Sequence, residues 1–92
     1  MRNRRNRNNR RNAKPRIAVW LVDGLPRLMA ADARIDGSPL AVAADTTQNR
    51  DMMESFMSRL DSLANRLGKW RIDAADAADA AREFRQELKL WA

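Results

Sequence analysis

The chain has 92 residues, a net charge of +6, and neither Cys nor His, so it makes one small domain without disulfides, thiolate zinc sites, a thiol nucleophile or the commonest general base. The charge is unevenly placed: residues 1–16 hold seven Arg and one Lys with no acid, leaving ten bases against twelve acids in residues 17–92. No apolar run approaches the roughly 20 residues needed to cross a bilayer, so no membrane partner is expected, and no metal or other cofactor is implied.

In chain order, three regions are expected: an arm over 1–16, a short apolar segment over 17–44 and a helical region over 45–92. The arm reads MRNRRNRNNRRNAKPR. It has nothing to bury and is expected to be disordered alone. Arg supplies a planar fork for phosphate and a plane that stacks on bases, and Asn adds uncharged amide donors and acceptors. The candidate nucleic-acid-binding residues are therefore Arg2, Arg4, Arg5, Arg7, Arg10, Arg11, Lys14 and Arg16, with RNA and DNA equally allowed. A secretory signal would need a longer apolar run than Ile17 to Val22, a transit peptide would need Ser and an apolar face, and a lipid-binding tail would need an aromatic or aliphatic residue. By composition the arm resembles the arginine-rich motifs of viral RNA-binding proteins and the basic arms of viral coat proteins, over Arg2 to Arg16 only.

Ile17 to Val22 is a strand or the first turns of a helix. Periodicity does not decide, although β-branched and aromatic content favours a strand turning at Asp23-Gly24. Pro26 suits the first turn of a short helix through Leu28, Met29, Ala33 and Ile35, ended by Asp36-Gly37. Ser38 then caps a second short helix, with Pro39 first and Leu40, Val42 and Ala43 following. This order is similar to that of the ribbon-helix-helix family of DNA-binding dimers, over Arg16 to Asp45. The resemblance implies that Ala18 and Trp20, with Val22 beyond, face the major groove, where none hydrogen-bonds a base edge; the arm would then supply most of the affinity.

From Asp45 onward large apolar residues recur at helical spacing. Met53, Leu60, Leu67, Ala74, Ala81 and Leu88 fit one heptad core position, and Phe56, Leu63, Trp70, Ala77, Phe84 and Trp91 the other, so one long coiled-coil helix is the alternative. Local chemistry favours two antiparallel helices. Asp45 with Gln48 forms a capping box, Gly68 follows Leu67 as a left-handed cap, and Asp73 caps a second helix. Folding there brings Phe56 to Phe84 and Leu60 to Ala81. The fold class expected is thus mainly α, a C-terminal helical hairpin behind the arm and a short strand or helix. Asp73, Asp76 and Asp79 border a small-residue face and lack the converging oxygens of a divalent-cation site.

Met53, Phe56, Leu60, Leu63, Leu67, Phe84, Leu88 and Trp91 are the candidate packing or oligomerisation residues. Trp20, Trp70 and Trp91 read as core or interface residues ahead of base-stacking ones. The small core favours a homo-oligomer or docking on a larger assembly. Ser and Asp residues fall on exposed faces or turns, so no catalytic residue is expected and the protein is read as no enzyme. Two functions follow. The first is a non-enzymatic nucleic-acid-binding protein whose helical body self-associates. The second is a structural assembly protein, a virion, scaffold or ribosome-associated subunit. Either would be cytoplasmic or virion-associated, and a ribbon-helix-helix-like regulator is a further form of the first.

Overall fold

A computed structural model describes residues 15–91, the side chain of Trp91 excepted. Three strands come first, β1 (Arg16–Val22), β2 (Leu25–Ala30) and β3 (Ala41–Ala44), followed by two helices, α1 (Thr47–Arg66) and α2 (Ala74–Trp91). β1 lies in the middle of an antiparallel sheet of order β2-β1-β3. The described residues are therefore mixed α and β, and the expectation of a mainly α protein, as hairpin or as coiled coil, is overturned.

Residues 25–44 misled as a sequence because their turn chemistry is ambiguous. Asp23 (φ 54°) and Gly24 (φ 78°) are both left-handed, the conformation of a two-residue hairpin turn that twists with its strands. Pro26 opens no helix. Ala31 N–H donates to the Arg16 carbonyl at 3.0 Å, so by alternation residues 25, 27 and 29 bond β1 while 26, 28 and 30 turn their backbone groups to the free edge. A proline at that edge removes no ladder bond. Likewise, the segment after Ser38 is strand β3 and not a capped helix: Ala41 pairs with Val19 and Ala44 with Arg16.

Cross-strand partners share a face, so Ile17, Val19, Leu28, Ala41 and Ala43 look toward the helices and join the core. Ala18 and Trp20 look the other way and are nevertheless buried, Trp20 to 5% exposure. Its indole N–H donates to the Ala30 carbonyl at 3.2 Å. Residues 31–40 carry the chain from the β2 edge to the β3 edge. The ribbon-helix-helix likeness is corrected here. β1 is paired on both sides within one chain, Ala18 and Trp20 are unavailable to a groove, and neither short helix forms.

The helices begin and end close to the positions read from the sequence. α1 is capped by Thr46, whose Oγ1 accepts Asn49 N–H at 3.0 Å, rather than by Asp45 in a capping box. At its end Lys69 N–H reaches the Ala64 carbonyl and Gly68 N–H the Asn65 carbonyl, with Gly68 at φ 71°. That pair of bonds is a Schellman motif, and it breaks the chain where a coiled coil would have continued. The linker is then tied to the sheet: Ile72 is buried and its N–H donates to the Gly24 carbonyl at 2.9 Å. α2 starts at that hairpin end and returns, its Leu88 and Lys89 lining a trough with Val42, Ala44 and Asn49. Asp73 precedes it, but the carboxylate accepts from Lys69 Nζ at 2.6 Å.

Large meets small between the helices. Met53, Phe56, Leu60 and Ala64 of α1 and Ala77, Ala81, Phe84 and Leu88 of α2 are buried together on Ile17, Val19 and Ala41. Phe56 and Phe84 stack with centroids 4.4 Å apart and planes within 2°. The Arg59 guanidinium lies 6.0 and 5.7 Å from the two ring centroids and forks onto Glu87 at 3.0 and 3.1 Å.

Candidate nucleic-acid interface

Arg2, Arg4, Arg5, Arg7, Arg10, Arg11 and Lys14 lie outside the described residues, as does the expectation that the arm is disordered. What is described is the arm's root. The Pro15 carbonyl accepts Asp45 N–H at 2.9 Å, and Arg16, exposed, is the first residue of β1. The arm therefore joins the body where the central strand begins and α1 is about to start.

The Asp45 carboxylate fixes that corner. Its two oxygens accept Arg50 Nε at 2.6 Å and Nη2 at 3.0 Å. This hydrogen bonding, opposed by partial desolvation and assisted by the guanidinium charge, holds the Asp45 carboxyl below the usual carboxylate range. The same bond and charge raise Arg50 above its ordinary value. Asn49 adds a second tie, donating from Nδ2 to the Ala44 carbonyl at 3.0 Å.

Charge separates arm from body sharply. Of the eighteen Lys and Arg residues, seven fall in residues 1–14, which contain no acid. Eleven remain in residues 15–91, together with all twelve acids, for a net −1. Many of the body's cations are already engaged. Arg50 is paired with Asp45, Arg59 with Glu87, Lys69 with Asp73 and Arg82 with Asp79, and Arg85 donates to the Leu40 carbonyl at 2.8 Å.

The packing candidates fare differently. Met53, Phe56, Leu60, Phe84 and Leu88 are buried in the chain's own core, Leu63 is half-buried against it, and Leu67 is 46% exposed; the side chain of Trp91 lies outside the description. The seam offered for oligomerisation is thus largely consumed within one chain. No described helix is long and apolar enough to cross a membrane.

Trp70, expected in a core or interface, lies outside the chain's own core and is 94% exposed. It stands in the linker between Lys69 and Arg71, beside an open concavity lined by those residues with Leu25 and Asp73. The signal for this was present: a Trp between the left-handed Gly68 and the helix start at Ala74 lies outside both helices and has no helical face to bury.

The chain matches no protein-family model, no curated protein sequence and no solved structure.

Proposed function

We propose that this is a non-enzymatic nucleic-acid-binding protein that holds phosphates with Arg2, Arg4, Arg5, Arg7, Arg10, Arg11, Lys14 and Arg16, its body serving as the anchor from which the arm extends. The observation that carries the reading is the charge division: seven bases and no acid in residues 1–14, against a net −1 in residues 15–91. A polyanion gains counterion-release free energy from the first segment and little from the second. The arm's root supports it further, because Pro15 and Arg16 are bonded into the sheet and tie the basic segment to the body.

The reading in which the helices dock on a larger assembly through Met53, Phe56, Leu60, Phe84 and Leu88 draws no support from those residues, which are spent on internal packing. The test is an oligonucleotide-binding titration of the full chain beside one lacking residues 1–14. Truncation stops before Pro15 so that the bond to Asp45 survives. Loss of binding with an unchanged thermal transition is expected. Replacing the six Arg of residues 2–11 by Lys then separates charge from the planar fork: weaker binding by the Lys variant assigns a role to the fork, and equal binding makes the arm an electrostatic tether.

A further inference from the structure

The feature of the body least explained by folding is the linker tip. A tryptophan normally contributes more buried area than almost any other side chain, yet Trp70 is 94% exposed while Trp20 of the same chain is 5% exposed. The tip is also built to stay in place. On one side the Schellman bonds from Gly68 and Lys69 close α1; on the other, buried Ile72 is hydrogen-bonded to the hairpin turn through the Gly24 carbonyl. The Arg71 Cβ lies so near Gly24 that a Cβ placed there would come within 2.7 Å of it. Two residues, Trp70 and Arg71, are thus held between two anchors, with the Trp70 ring outward.

We propose that Trp70 is a stacking platform for an unpaired nucleobase, so that the body contributes a second contact to single-stranded nucleic acid beside the arm. This rests on the nucleic-acid reading of the arm. The concavity next to the ring gives a base an apolar wall in Leu25, and Arg71, which makes no ion pair among the described residues, stands beside it as a cation for the adjoining phosphate. Lys69 is occupied by Asp73, so the tip is not a general phosphate trap. Its contribution is stacking, which tolerates any base and requires that the base be unpaired. Trp70 lies at the hairpin end of the sheet and the arm's root at the other end of β1. The six steps from Arg16 to Val22 at ~3.3 Å each make the strand between those two ends about 20 Å long, a span of a few nucleotides of extended single strand.

The experiment compares the full chain with Trp70→Ala and Trp70→Phe, titrated with oligo(dT), oligo(rU) and a blunt duplex of equal length at one salt concentration. The ring touches little of the core, so all three proteins should share one thermal transition. Trp70→Ala is expected to weaken single-strand affinity roughly tenfold, within the range for one stacked base, to leave duplex affinity and the salt slope unchanged, and to abolish most of the fluorescence quenching on binding. Trp70→Phe should recover much of the affinity. Unchanged single-strand affinity in Trp70→Ala, or an equal loss on duplex, overturns the proposal, as does a full chain that binds no oligonucleotide. Should removal of residues 1–14 leave affinity intact while Trp70→Ala lowers it, the platform stands and the arm's assigned role falls.

Discussion

Two glycines that share a left-handed backbone differ in their surroundings, and that difference is measurable. At Gly68 (φ 71°) nothing lies within 4 Å of a Cβ, so Gly68→Ala suffers only the conformational penalty, about 1 kcal/mol. At Gly24 (φ 78°) a Cβ would also collide with that of Arg71 at 2.7 Å, so Gly24→Ala should cost clearly more. Urea denaturation of both variants should give that order. Asp45 supplies a pH signature. Its folded pKa is depressed by the Arg50 hydrogen bond, so the pair stabilises at neutral pH and this stabilisation disappears as pH falls through the folded value, below the ordinary carboxylate pKa of about 4. Asp45→Asn should start less stable at pH 7 and lose less on acidification, as read from melting temperature against pH.

For the secondary-structure elements, legibility followed the length of the signal. α1 and α2 are 20 and 18 residues long, and their periodicity, the break at Gly68 and the Phe56–Phe84 contact were all readable. β2 and β3 have six and four residues, too few for period-two alternation to declare itself. Pro26 and Ser38-Pro39 carry the same residue types as helix starts, and only the sheet register shows that Pro26 faces a free edge. β1 was ambiguous for a different reason: being covered on both faces, Ile17 to Trp20 is a continuous apolar run without alternation. The same cover explains why Ala18 and Trp20 were wrongly turned toward a DNA groove. The coiled-coil alternative gave Trp70 a heptad core position that the Schellman turn removes. Within the core, the stacked phenylalanines join the two helices. Phe56→Ala or Phe84→Ala should each cost about 3–5 kcal/mol, a large share of the roughly 4–12 kcal/mol expected for a body of this size, and sharply lower the melting temperature read by circular dichroism.

For the molecule as a whole, the helices are not an independent domain. Met53, Phe56 and Leu60 share a core with Ile17 and Val19, and Ile72 and Arg85 bond the backbone of the sheet region. A fragment of residues 45–92 should therefore show weak helicity and no cooperative melt, whereas residues 15–92 should unfold in one transition; a sharp transition in the fragment would restore a self-sufficient helical hairpin. The candidate interface was legible only as charge, since an Arg and Asn tract has no periodicity to place it and its first fourteen residues lie outside the described structure. Its consequence is nevertheless quantitative. If about half of the seven bases of residues 1–14 engage phosphates, log affinity should fall with log salt at a slope of about −3. The most direct measurement is that slope, taken with one oligonucleotide for the full chain and for residues 15–92. A slope near −3 that collapses toward zero on truncation, with the thermal transition preserved, is the expected result; a truncated chain that binds as tightly and with the same salt dependence would contradict the assignment.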